Sequence, residues 1–221
     1  MVNLTAHDHR VWRAFLGLEK TLPVERRDYG EWHRGRKKYA VWTIGIEDRA
    51  VRSRFNAARA HLSDFLFQPY RRQVHVSVFV CGFLVKHGRL DDDYPVWKLR
   101  QHVRSLQRDL PASFDIEIGG VNSFATTPFL EVFDITGGIQ KIRGKLARSH
   151  NEIRMSPFVP HLTLGLYASD FEPAVVAGSM NSLPTGPRIT YHVEVLSLST
   201  YVAWEIAGPL TQVHAVPLGT G

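Results

Sequence analysis

With 221 residues, 44% of them hydrophobic, the chain is long enough to bury a sizeable core and too apolar to be disordered or fibrous. A single cysteine, Cys81, excludes an internal disulfide or a cysteine-rich metal cluster and fits a reducing compartment. The net charge of +6 is that of a basic soluble surface or of a protein with an anionic partner such as RNA, DNA or a phosphorylated small molecule.

No apolar run reaches the roughly 18 to 20 residues that a membrane span needs. His7, Asp8, His9 and Arg10 precede any apolar stretch, so no signal peptide is read and a cytoplasmic protein is expected. Residues 1–38 read as an N-terminal basic and aromatic extension. Val11, Trp12, Phe15, Leu16 and Leu18 have helical spacing, and Pro23 and a charged stretch follow. From Tyr29 to Lys38, basic residues alternate with Tyr29 and Trp32. This stretch is either a solvated connector whose aromatics pack on the domain, or a surface that contacts phosphates and stacks on bases.

Residues 39–221 read as a single domain. A strand is expected from Tyr39 to Glu47, followed by a helix capped by Asp48 and running to about Phe67, where Pro69 ends it. A strand from Val74 to about Val85 comes next, then a polar loop and a helix from about Val96 to Leu110. Strands at Phe114–Ile118 and Val121–Ala125 flank a Gly119-Gly120 turn. Phe129–Ile135 then reads as a strand, Ile139 to about Ile153 as a basic amphipathic helix, and Val159–Tyr167 as another strand. A short helix from Phe171 to about Leu183 follows, with Asp170 as its cap, and strands at Ile189–Tyr201 and Val213–Leu218 close the chain.

The order strand, helix, histidine-containing strand, helix thus occurs twice, in halves of about 39–125 and 129–218. The expected fold class is α+β: a duplicated, bilobal fold with two mostly antiparallel sheets and flanking helices around a central cleft.

The two histidine strands carry the chemistry. In Val74-His75-Val76-Ser77-Val78 and Pro160-His161-Leu162-Thr163-Leu164, alternation puts the histidine and the hydroxyl on one face and aliphatics on the other. Chance alone supplies about one His-x-Ser/Thr in a chain of this composition. Three occur, and His61-x-Ser63 falls in a helical segment, where positions i and i+2 diverge. The pairs at His75 and His161 lie mid-strand, at equivalent places in the repeat. Side chains at i and i+2 on a strand stand roughly 6 to 7 Å apart, too far for the histidine to activate its neighbouring hydroxyl as a nucleophile. Ser77 and Thr163 are better placed to donate to a ligand. Two histidines and two hydroxyls suit a phosphodiester: the hydroxyls hold the non-bridging oxygens, one neutral imidazole takes a proton, and one imidazolium gives one. No zinc-ligand spacing, glycine-rich phosphate loop or paired catalytic carboxylate is evident, and no metal or cofactor is called for.

These two stretches resemble the signature of the 2H phosphoesterase superfamily, which includes the bacterial and archaeal 2′-5′ RNA ligase and cyclic phosphodiesterase family. The resemblance covers about residues 39 to 218. It implies that His75 and His161 are the catalytic pair, with His75 as acid and His161 as base, and that Ser77 and Thr163 hold the phosphate. It implies hydrolysis of 2′,3′-cyclic phosphates or 2′-linked phosphodiesters of RNA ends or nucleotides, with 2′-5′ ligation in some members. Ser77 stands where threonine is common. Many members carry a basic residue shortly after the second motif, where this chain has Gly165-Leu166-Tyr167; Arg71, Arg72, Arg143 or Arg154 would then have to supply that charge. Trp32, Phe79, Tyr167, Tyr201 and Trp204 are the candidate aromatics for a nucleobase, with Phe79 and Tyr167 preferred because they share strand faces with the active pairs. The expected partner is RNA or a phosphorylated nucleotide, with no membrane and no metal, and the expected state is a monomer. The competing expectation is an RNA-end-binding protein with negligible turnover.

Overall fold

The computed structural model describes residues 6–154, 156–184 and 186–220. The first five residues of the extension, Met155, Thr185 and Gly221 lie outside the described residues, as do the side chains of residues 6–8.

The extension is woven into the body of the protein. Helix α1 (Ala6–Leu16) buries Phe15 in the main core, and α2 (Gly30–His33) places Trp32 against Tyr39 and Phe83. Between them, Val24 N–H donates to the Tyr167 carbonyl. Arg36 then lies over the Phe83 ring and pairs with Asp92 and Asp93 at 2.5 and 2.7 Å. Stacking and a forked ion pair suit arginine better than lysine, and this pair is largely out of solvent.

Strand β1 (Lys38–Gly45) leads into α3 (Arg49–His61). Asp48 caps that helix by accepting from Val51 N–H at 2.8 Å, as expected. Strand β2 (His75–Val85), the short β3 (Asp93–Pro95) and α4 (Val96–Arg108) complete the first half. The second contains β4 (Phe114–Ser123), β5 (Pro128–Phe133), α5 (Gly138–Ala147), β6 (His161–Thr163) and α6 (Pro173–Asn181). Strands β7 (Ile189–Val193), β8 (Val195–Val202) and β9 (Thr211–Pro217) end the chain. No helix among the described residues is long and apolar enough to cross a membrane.

The fold is α+β, but the two expected sheets are halves of one. Among the described residues the strand order is β7-β4-β5-β6-β2-β1-β8-β9, with β3 beside β2. The halves join where Val76 of β2 pairs with Leu162 of β6. The long strand expected at Ile189–Tyr201 breaks at Glu194, so that β7 pairs with β4 and β8 with β1. Strands one residue apart in sequence therefore lie near opposite ends of the path, which requires the sheet to curl. The Tyr191 hydroxyl of β7 spans the gap, donating to the Gly45 carbonyl of β1 at 3.0 Å.

Other expectations shift locally. Gly119-Gly120 is a bulge within β4 and not a turn, because Ile118 pairs with Val132 while Val121 pairs with Leu130. Helix α6 starts after Glu172, with Pro173 in its first turn and no side-chain cap from Asp170. Strand β6 is three residues long, because beyond Thr163 the chain pairs only through single bonds such as Leu164 N–H to the Pro128 carbonyl.

Candidate active site

The β2–β6 junction assembles the site. Antiparallel pairing of Val76 with Leu162, continued by one residue each way, sets His75 opposite Thr163 and Ser77 opposite His161. Val76 and Leu162 point to the core and are fully buried, contributing roughly 1.5 to 3 kcal/mol each. Their burial fixes the register, since a one-residue slip would turn both histidines inward. The four polar side chains share the other face. Directly opposed Cβ atoms stand roughly 4.5 to 5.5 Å apart and diagonal ones roughly 7 to 8 Å, which is the expected His75–His161 separation.

Both imidazoles are held in the same way. The Nδ1–H of His75 donates to the Gln73 carbonyl and that of His161 to the Val159 carbonyl, each at 2.7 Å. With Nδ1 protonated, the neutral ring keeps its lone pair on Nε2, which is the atom available to a ligand. Burial lowers the His75 pKa to about 4; the Gln73 carbonyl opposes this, and the Arg72 and His161 charges add to it. Burial also lowers the His161 pKa, opposed by the Val159 carbonyl and reinforced by the Arg154 charge. In the free protein burial therefore favours the neutral form of both rings.

Around this quartet the two halves differ. Phe124 and Phe129 stack on each other at 4.4 Å between ring centroids and flank the His161 ring at 5.1 and 5.3 Å. Glu131, almost completely buried, pairs with His161 across β5 and β6 and accepts from the Asn122 amide at 2.7 Å. On the His75 side, Thr43 of β1 neighbours both Ser77 and Ser197, and its hydroxyl meets that of Ser199 at 3.0 Å.

Two expected base-stacking residues are not on this face. Thr43 pairs with Ser77 but Trp42 pairs with Phe79, so Val78 is the extra residue of a bulge and the alternation changes phase there. Phe79 consequently turns to the core, beside His102 and His150. Tyr167 lies beyond the end of β6, fully buried, with its hydroxyl 2.6 Å from that of Ser123. Trp32 is partly buried against Tyr39 and Phe83.

Of the arginines, Arg71 is exposed and pairs with Glu205, while Arg143 and Arg154 share Glu152. Arg72 lies over the Tyr201 ring. His61 is exposed at the end of α3, bonding to Ser179 and Ser182 away from the quartet, consistent with a chance match.

Glu131, Asn122, Phe124 and Phe129 were not singled out in the sequence. The available signal was Glu131 itself, a lone carboxylate among Phe129, Leu130, Val132 and Phe133. Among the described residues no group of three or more His, Cys, Asp or Glu side chains could hold a metal ion. A surface cavity of about 770 Å³ opens elsewhere, between the start of β4, α5 and β7, and none of the quartet lines it.

A family model described as the 2′-5′ RNA ligase superfamily matches residues 47–201. No curated protein matches. Among solved structures, E. coli LigT complexed with NADP+ aligns at 15% identity and a TM-score of 0.54, covering 84% of this chain and 100% of that one. Apo LigT gives 14% and 0.55, with 83% and 99% coverage. TT0787 of Thermus thermophilus gives 13% and 0.52, with 82% and 98% coverage. At such identities the likeness carries the fold alone, whereas the family model spans most of the chain and both histidine strands. The chain belongs to the 2′-5′ RNA ligase superfamily, the 2H phosphoesterases.

Proposed function

We propose that the protein is a phosphoesterase that hydrolyses 2′,3′-cyclic phosphates or 2′-linked phosphodiesters of RNA ends or nucleotides. The observation that carries this is the diagonal placement of two imidazoles, each with Nδ1 fixed and Nε2 available, with a hydroxyl opposite each. A phosphate between them has a proton acceptor on one side and a proton donor on the other. His161 takes the proton of the attacking water as its oxygen bonds to phosphorus. His75, protonated, gives its proton to the leaving ribose oxygen as that bond breaks. Ser77 and Thr163 donate to the non-bridging oxygens, where charge builds in the transition state. The bound phosphate is itself anionic, so it raises the pKa of both rings and opposes the effect of burial. The assignment of acid and base follows the family resemblance. That LigT has been solved with NADP+ and with 3′-AMP supports a phosphate-bearing nucleotide as the substrate class.

The test is an assay panel of 2′,3′-cyclic nucleotides and 2′-5′ dinucleotides, with and without EDTA. Turnover insensitive to EDTA is expected; intact substrates throughout pH 5 to 8 would sink the hydrolase. One feature favours a second reading, an RNA-end-binding protein without turnover: burial disfavours the protonated, acid form of both imidazoles in the free protein. Such a protein would bind single-stranded RNA with steep salt dependence and leave it uncut. Incubation with both RNA halves separates out 2′-5′ ligation, which would use the same site.

A further inference from the structure

Four arginines are the candidates to serve a phosphate at this site, and three already have carboxylate partners. Arg71 pairs with Glu205 at 3.4 Å, while Arg143 and Arg154 reach Glu152 at 2.7 and 3.0 Å. Arg72 pairs with no carboxylate among the described residues. Its guanidinium carbon lies 4.1 Å from the Tyr201 ring centroid, and its Nε–H is buried with no acceptor. Buried donors are nearly always satisfied, and a half-buried cation with an open donor is costly to keep unless something anionic fills it.

The placement is built rather than incidental. Arg71 N–H donates to the Ala207 carbonyl at 2.9 Å, and the Gln73 side chain exchanges two bonds with the Leu210 backbone at 3.1 and 2.9 Å. The residues on either side of Arg72 are thereby pinned to the loop that follows β8. Tyr201, two residues beyond Ser199 on β8, faces the same side of the sheet as Ser77 and Thr43. Arg72 lies three residues before His75 on the segment that enters β2, and its charge lowers the His75 pKa.

We infer that Arg72, seated on Tyr201, is the phosphate-binding cation of the site. Its Nε–H and a terminal N–H donate side by side to two oxygens of a phosphate held beside His75. The Tyr201 ring is the platform that keeps the guanidinium plane in place. This deepens the phosphoesterase reading and rests on it for the substrate, but its first measurement needs no turnover.

The probes are inorganic phosphate and adenosine 2′-monophosphate, titrated calorimetrically at low salt into the full chain and into R72M and R72K. Thermal melts of each variant are recorded alongside. R72M should weaken both ligands about tenfold or more with its melting temperature kept, and R72K, which keeps charge but loses the fork, should fall between. If R72M does not fold, the wild-type-to-R72K comparison carries the test. Equal affinities in wild type and the variants, or no phosphate binding by wild type in the millimolar range, would overturn the inference. Arg72-dependent phosphate binding without hydrolysis of any cyclic phosphate retains the inference and removes the phosphoesterase. Hydrolysis with unchanged KM and phosphate affinity in R72M does the reverse.

Discussion

Glu131 and His161 stand directly opposite one another across β5 and β6, whereas the residue in the same position beside His75 is Gly45. The two imidazoles therefore share a backbone arrangement but not a neighbour, and their roles need not be interchangeable. Replacing Glu131 with leucine removes the acceptor of a buried amide and should cost about 1 to 3 kcal/mol, while Glu131→Gln preserves that bond and most of the stability. Thermal melts of both variants, with kcat/KM measured alongside, check this. Equal melting temperatures for the two would show that the Asn122 bond contributes nothing.

His75→Ala and His161→Ala should each reduce turnover by roughly 10²- to 10⁴-fold or more, since each removes one partner in proton transfer. Both are expected to fold, because the register is held by Val76 and Leu162 on the opposite face. Single-turnover assays on the folded variants decide it. Wild-type rates in either variant contradict the mechanism.

Stability should fall on mild acidification. Burial lowers the pKa of His75 and of His102 to about 4 in the folded chain. Unfolded histidine titrates near 6.5, so between the two values the unfolded chain binds more protons and is favoured as pH drops. The stabilisation is complete above about pH 6.5 and is lost as pH falls to about 4, with each group worth of order a few kcal/mol. His102 cannot adapt easily: its Nδ1 accepts from the Trp42 indole, and its Nε2–H donates to the Leu146 carbonyl. Urea midpoints from pH 7.5 to 4 measure the effect, and a flat profile refutes it.

Gly82→Ala should destabilise strongly. Gly82 has φ of +102°, and a Cβ there would run into the Asp92 carbonyl. Strain alone costs about 1 to 3 kcal/mol, and the Asp92 carbonyl cannot withdraw without giving up its bond from Phe83 N–H. Loss of soluble protein or a markedly lower melting temperature is expected, while Gly120→Ala, which meets nothing within 4 Å, serves as the control.

What could be read in the sequence was what short-range periodicity determines. The face shared by His75 and Ser77 was legible because β2 alternates without interruption between them, and Asp48 because capping is a local bond. The inward turn of Phe79 was not, since the bulge at Val78 exists only in relation to Trp42 and Thr43 on the partner strand. Gly119-Gly120 looks like a turn in isolation and becomes a bulge because β5 continues beside it. The arginines were four equal candidates until their partners distinguished them: Glu152, close in sequence, engages Arg143 and Arg154, whereas the distant Glu205 and Tyr201 receive Arg71 and Arg72. Glu131 was not legible because a lone carboxylate has no local sequence pattern, and its place opposite His161 exists only once β5 and β6 pair.

The pairing of Val76 with Leu162 has a further consequence. Each histidine stands opposite the hydroxyl of the other half, so neither half of the chain carries the proposed set of groups by itself. Two half-chains related by a twofold axis at that junction would already bring all four together. Joining them in one polypeptide adds no chemistry to the centre; it frees the two sides from having to be alike. Gly45 against Glu131, and Thr43 against Phe129, are where that freedom has been used.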